Sequence, residues 1–178
     1  MDLRLFISVP VPDPGPLEPV LRELRTVYGI RTVPAGQLHI TLRFLGDTDE
    51  RRLDDVVSAC RRAVRGTEPF EIVLKGAGVF PGARNPRVVW TGVQPEDVLS
   101  GLSERITSEL KGFSMDEKPF KGHITVARCR EPVQLKPFLE KYSDTEFARF
   151  GCGGICVMKS DLSERGAKHT VLSNIRLD

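Results

Sequence analysis

No stretch of this 178-residue chain approaches the roughly 20 consecutive apolar residues of a bilayer span, so no membrane helix is expected. The opening Met1-Asp2-Leu3-Arg4-Leu5-Phe6-Ile7-Ser8-Val9-Pro10 is apolar for too short a run, and too broken by charge, to be a signal peptide. The expected location is therefore the cytoplasm. There is no G-x-x-x-x-G-K-[ST] loop, and neither Gly76-Ala77-Gly78 nor the glycines from Gly151 to Gly154 complete a G-x-G-x-x-G fingerprint, which argues against ATP as an energy source. An excess of one charge sign is also missing. The net charge is +2, compatible with a phosphate-bearing ligand but short of a duplex-binding surface. The four cysteines, Cys60, Cys129, Cys152 and Cys156, show no paired C-x-x-C spacing and read as buried thiols. The alternative is a zinc site on Cys152 and Cys156 completed by His169. Histidine itself is scarce, with only three copies.

Two of those three histidines belong to one repeated tetrapeptide. His39-Ile40-Thr41-Leu42 returns as His123-Ile124-Thr125-Val126. In an extended strand, side chains alternate between faces, so each histidine shares a face with the threonine two residues on while the aliphatic residues take the other. Each copy thus reads as apolar below, with imidazole and hydroxyl above. By the same alternation Arg43 is expected on the His39 face and Lys121 on the His123 face. Arg128 has the wrong parity and reaches that face only through a β-bulge.

The composition, 40% hydrophobic and 28% charged, is that of a folded globular chain. Its length suits one domain or two lobes of about 90 residues each, and the repeat favours the lobes. Strands are expected at Arg4 to Val9, Leu38 to Leu45 (closed by Gly46), Phe70 to Phe80, Arg87 to Val93, the second motif, Ala148 to Lys159 and His169 to Arg176. Helices are expected at Leu17 to Tyr28, from an Asp47 or Thr48 cap to Arg65, from Pro95 or Glu96 to Leu110, and at Leu135 to Tyr142. Ser163-Glu164-Arg165-Gly166 reads as a hairpin turn. The fold class is α+β: two similar lobes within a single domain over 1–178, each an antiparallel sheet with helices on its outer face, around a central cleft carrying the duplicated His-x-Thr-x motifs.

A phosphodiester reaction needs a nucleophile deprotonated on one side of phosphorus and a leaving oxygen protonated on the other. Two imidazoles, with an unperturbed pKa of about 6.5, suit that pair of tasks. Thr41 and Thr125 offer hydroxyl donors to the equatorial oxygens. No metal and no cofactor is called for. Arg43, Lys121 and Arg128 are candidate phosphate ligands, and Arg84 and Arg87 flank a turn that could line the path of a phosphate-bearing ligand. Among Phe6, Phe44, Phe80 and Phe120, the last two are candidates for stacking on a base. His169 lacks the motif spacing and reads as a surface or hairpin residue.

With those residues in view, the chain resembles the 2H phosphoesterases, a superfamily defined by two His-x-Thr/Ser-x motifs on facing lobes. Arg4-Leu5-Phe6-Ile7, His39 to Gly46, Gly78-Val79-Phe80-Pro81, Arg87-Val88-Val89-Trp90 and Pro119-Phe120 before His123 are similar, more narrowly, to the RNA 2′,3′-cyclic phosphodiesterase branch, also called 2′-5′ RNA ligase. The Lys121-Gly122 pair stands where many relatives carry other residues. The resemblance implies hydrolysis of an RNA terminal 2′,3′-cyclic phosphate to a 2′-phosphomonoester, His39 protonating the 3′ oxygen and His123 activating water. It equally implies a reversible 2′-5′ joining reaction, and as partners single-stranded RNA ends or tRNA fragments acted on by a monomer. Two other readings stand beside it: an RNA- or nucleotide-binding module that uses the histidines for phosphate recognition, and opening of a small cyclic nucleotide or of ADP-ribose 1″,2″-cyclic phosphate.

Overall fold

Strands, with their period-two alternation, make up more of this molecule than helices do. In the computed structural model, which describes residues 1–115 and 118–178, the elements run β1 (Asp2–Pro10), α1 (Glu18–Arg25), β2 (Ile30–Thr32), β3 (His39–Asp49), α2 (Leu53–Val64), β4 (Phe70–Phe80), β5 (Val88–Gln94), α3 (Glu96–Glu109), β6 (His123–Cys129), α4 (Lys136–Tyr142), β7 (Glu146–Cys152), β8 (Gly154–Ser163) and β9 (Gly166–Arg176). The class is α+β, as expected. Every strand pair is antiparallel, in the order β7-β4-β5-β6-β3-β1-β8-β9, with β2 added beside β6.

Where the sequence leads one to expect two separate sheets facing each other, the described residues form one sheet of nine strands. The join is slight. β3 and β6 pair only at Ile40↔Ile124, and β2 takes over the same edge of β6 from Ala127 to Cys129. Unjoined, β3 and β6 would each leave an open edge with unpaired backbone groups. The one residue pair sits at the centre of the repeat, between the two histidines in register.

The buried face of the sheet is made by the residues that alternate with the motif's polar ones. Ile40, Leu42, Ile124 and Val126 are buried, and each fully buried aliphatic side chain of this size contributes about 1.5–3 kcal/mol. Helices cover them with matching stripes: Val20, Leu21 and Leu24 from α1, Val56, Ala59, Cys60 and Ala63 from α2, and Leu99, Leu102 and Ile106 from α3. No helix among the described residues is long and apolar enough to cross a membrane.

Several boundaries differ from the sequence reading for local reasons. The first helix opens with a 3₁₀ turn at Gly15–Leu17 and ends at Arg25. β3 continues through Gly46, which adopts φ +72° at a register shift against β1 instead of closing the strand. The cap before α2 is Asp49, not Asp47 or Thr48: its carboxylate accepts the Arg51 N–H at 3.0 Å and a 3₁₀ turn intervenes. The run from Ala148 to Lys159 divides at Gly153 into β7 and β8, which belong to opposite ends of the sheet. β2 is three residues long and carries no alternation of its own that would announce it. The β8–β9 hairpin turns through Glu164-Arg165 with Gly166 at φ +105°, as the turn chemistry predicts.

Candidate active site

The two motifs share a backbone irregularity that decides which side chains reach the cleft. In β3, Ile7 pairs Arg43 and Ser8 pairs Thr41, leaving Leu42 as the extra residue of a bulge. In β6, Val89 pairs Ala127 and Trp90 pairs Thr125, leaving Val126 extra. The bulges thus fall on the fourth residue of each motif. A bulged residue loses its ladder partner, and both carbonyls are recaptured. The Ser103 hydroxyl on α3 donates to the Leu42 carbonyl at 2.6 Å, and the Val33 N–H donates to the Val126 carbonyl at 2.8 Å.

Each bulge inverts the parity of the residues beyond it. After β6's bulge, Ala127 is buried and Arg128 joins His123 and Thr125 in lining the cleft, so the bulge on which its placement depended is present. The same event corrects the placement of Arg43. Bulging at Leu42 removes it from the His39 face and puts Phe44 there. Arg43 instead donates to the Lys118 carbonyl at 3.1 Å, with its Nε buried.

Both imidazoles are held by the carbonyl two residues back. His39 Nδ1 lies 2.8 Å from the Gln37 oxygen and His123 Nδ1 lies 2.7 Å from the Lys121 oxygen. A carbonyl only accepts, so Nδ1 carries the proton in both rings, and Nε2 is the nitrogen left for chemistry. Thr41 Oγ1 stands 3.0 Å from His39 Nε2. Loop geometry fixes the second carbonyl: the Glu96 carboxylate accepts the Gly122 N–H at 3.0 and 3.2 Å, and a Cβ at Gly122 would collide with that carboxylate and with Val93.

Different neighbours flank the two rings. His39 touches Phe6 at 5.0 Å between centroids and meets the edge of His169 at 5.1 Å. His123 meets Phe80 edge-on at 5.1 Å, and the Lys121 ammonium sits over that Phe80 ring at 4.7 Å and over Trp90 at 5.5 Å. Burial is the main reason both imidazoles have pKa values below the usual 6.5, opposed in each case by the bond to the backbone carbonyl. The other two histidines lower His39 further, and Lys121 and Arg128 lower His123.

The cleft has a volume of about 580 Å³ and brings together His39, Thr41, His123, Thr125 and Arg128 of the expected residues. Others stand elsewhere. Lys121 precedes β6 and is held over the Phe80 and Trp90 rings. Phe80 backs His123, and Phe120 packs on the core. Arg84 and Arg87 are exposed, and Arg87's backbone bonds Phe80 and Cys129 across the turn. His169 is the largest departure from expectation. It does lie on the β8–β9 hairpin, but that hairpin lies along the cleft and brings the ring against His39 and Phe6, with Nδ1 buried and without a hydrogen-bond partner among the described residues. Burial lowers its pKa as well.

Arg4, Arg31, Arg130 and Arg165 also line the cleft and were not anticipated. Arg130 was within reach of sequence reasoning, since it follows Arg128 by two residues on the same face. Arg31 and Arg165 come from β2 and a hairpin tip, and only the tertiary fold brings them in. The cysteines are free and buried. Cys156 donates to Asn174 and Cys152 to the Gly154 carbonyl, and no cluster of three potential metal ligands occurs among the described residues.

Comparison with known proteins places the chain in a family. Residues 12–164 match the family model of the 2′-5′ RNA ligase superfamily. A protein of Archaeoglobus fulgidus named RNA 2′,3′-cyclic phosphodiesterase is 36% identical over 92% of this chain and 94% of its own. One of the same name from Methanothermobacter thermautotrophicus is 32% identical over 99% of this chain and all of its own length. A crystal structure from Thermus thermophilus superposes with a TM-score of 0.83 at 30% identity over 98% of both chains. E. coli LigT complexed with 3′-AMP has the same fold, with a TM-score of 0.80 at 24% identity over 99% of both chains. With the family model covering most of its length and full-length relatives above 30% identity, the chain belongs to the 2′-5′ RNA ligase superfamily.

Proposed function

We propose that this protein hydrolyses the 2′,3′-cyclic phosphate at the end of a single-stranded RNA to a 2′-phosphomonoester, by acid/base catalysis between His39 and His123. The observation that carries the reading is the pair of carbonyl-locked imidazoles, Gln37 on one and Lys121 on the other, which turns both Nε2 atoms toward one cleft. The register around Ile40↔Ile124 makes the two histidines diagonal cross-strand neighbours, about 7–8 Å apart at the backbone, which leaves room for one phosphate between the rings. The name RNA 2′,3′-cyclic phosphodiesterase, carried by full-length relatives, supports the same substrate.

In this reading His123 Nε2 takes a proton from water as it attacks phosphorus, while His39 Nε2 gives one to the departing 3′ oxygen. The roles of acid and base follow the family resemblance. Thr41, Thr125 and Arg128 hold the non-bridging oxygens, where charge builds as the bonds exchange. An anionic phosphate between the rings raises both lowered pKa values again, favouring the protonated acid in the complex. No metal enters these steps. The same displacement with a ribose 5′-OH in place of water, the 3′ oxygen again leaving with a proton, gives a 2′-5′ linkage and is reversible; hydrolysis prevails because joining must also bring two RNA ends together. The two halves of the sheet act as lobes of one domain over 1–178, working as a monomer in the cytoplasm on RNA ends such as tRNA fragments.

The test is incubation of an oligoribonucleotide 2′,3′-cyclic phosphate in EDTA, with the product identified by phosphorus NMR. A 2′-phosphate is expected. Tight binding without turnover would identify a binding module instead, and a 3′-phosphate would overturn the assigned direction of cleavage.

A further inference from the structure

The cleft is far more basic than the chain that forms it. Arg4, Arg31, Arg128, Arg130 and Arg165 line it and, among the described residues, no aspartate or glutamate does, although the whole chain carries a net charge of only +2. None of these arginines forms an ion pair among the described residues, so none has its charge offset by a neighbouring carboxylate.

Their placement exceeds what one phosphate requires. Register sets Arg31 of β2 directly opposite Arg128 of β6, and like charges in that relation are destabilising unless an anion joins them. The Arg31 guanidinium also donates to the Arg165 carbonyl at the tip of the β8–β9 hairpin, which brings a further arginine from the opposite half of the sheet. Arg130 continues the cleft face beyond Arg128. Arg128 is three residues past Thr125, within side-chain reach of a phosphate held between the histidines. Arg130 is five residues past it, roughly 15 Å at the ordinary strand rise, and so addresses a different group.

We propose that Arg31, Arg130 and Arg165 form a second anion subsite, which takes the internucleotide phosphate on the 5′ oxygen of the terminal nucleotide. The subsite rests on the cyclic phosphodiesterase reading for the identity of the strand but not for its charge. Arg128 stands between the two positions and holds the strand's last two phosphates in register. The protein thereby selects the end of a strand over a free nucleoside cyclic phosphate, through a contact remote from the bond that breaks.

Binding tests this apart from turnover. Cytidine 2′-phosphate, the dinucleotide CpC carrying a 2′-phosphate, and that dinucleotide with a neutral methylphosphonate link are titrated calorimetrically. The natural dinucleotide is expected to bind about 10- to 100-fold more tightly than the mononucleotide, the worth of charge-assisted contacts to one phosphate. Its log Kd should also depend more steeply on log salt, by about 0.7 per phosphate contacted. Methylphosphonate substitution, R31A and R130A should each bring the dinucleotide-to-mononucleotide ratio toward unity. An advantage that survives the neutral link would come from the second base and would overturn the subsite, as would one untouched by both variants. A 5′-phosphorylated mononucleotide that binds as tightly as the dinucleotide would overturn the assignment to a strand. The cyclic forms of the same ligands separate the two readings. A binding advantage without any turnover sinks the catalytic proposal and leaves the subsite, whereas turnover without the advantage does the reverse.

Discussion

His39 and His123 each have Nδ1 tied to the carbonyl two residues back, a threonine two residues on and a bulge at the residue after that, yet Phe6, Phe44 and His169 surround the first while Phe80, Lys121 and Arg128 surround the second. The common part is written in backbone geometry and fixes where each Nε2 points. The differing part is written in side chains. After the bulge one copy presents the Phe44 ring, with the Arg4 guanidinium over it, and the other presents the Arg128 guanidinium directly. In the proposed mechanism duplication supplies two equivalent nitrogens, and the divergence of their surroundings is what distinguishes acid from base.

The sharpest way to break the comparison is to remove one imidazole at a time. His39→Ala and His123→Ala should each lower kcat by about 10²- to 10⁴-fold, the usual worth of one acid or base. In the free enzyme both pKa values lie below 6.5, so the bell-shaped profile of kcat/KM is expected on the acidic side of that value. The base must be neutral, and its loss removes the acidic limb; the acid must be protonated, and its loss removes the alkaline limb. A bell unchanged in either variant would end the assignment of that residue.

A smaller effect tests the bulges. Arg128→Ala should lower kcat/KM about 10- to 100-fold through the lost phosphate contact. Arg43→Ala, the residue that simple alternation places in the cleft, should leave steady-state kinetics close to those of the parent, since its guanidinium faces the Lys118 carbonyl. Equal losses in the two variants would show that the strand after Leu42 is not bulged in solution.

The smallest effect concerns the third histidine. His169→Phe keeps a ring against His39 while removing a nearby positive charge, so the His39 pKa, followed by ring-proton NMR, should rise and that of His123 should stay in place. Unfolding measured against pH gives a companion readout. A histidine held below 6.5 in the folded state contributes stability that is complete above the unfolded pKa and is lost as pH falls through the folded one. The variant should therefore lose less stability on acidification below 6.5 than the parent.

Much of this was legible in the sequence because it depends on local period. The strand from Phe70 to Phe80 appears at its expected bounds, and the His-x-Thr pairs stand where alternation puts them. What failed depends on contacts distant in the chain. Arg43 was misplaced and Arg128 conditionally placed by one rule, because a bulge is set by the partner strand and by whatever recaptures the orphaned carbonyl, here Ser103 and Val33. His169 and Arg165 enter the cleft on a hairpin whose turn was readable but whose docking was not. β2 is too short to carry a period, and it brings Arg31.

The lone ladder contact between Ile40 and Ile124 has a mechanical consequence. In any rocking of one half of the sheet against the other, a group moves in proportion to its distance from the pivot; the imidazoles flank that pivot, while the hairpin tip at Arg165 is tied across to the other half by the Arg31 guanidinium. Any widening of the entrance would therefore break that hydrogen bond long before it changed the gap between the imidazoles.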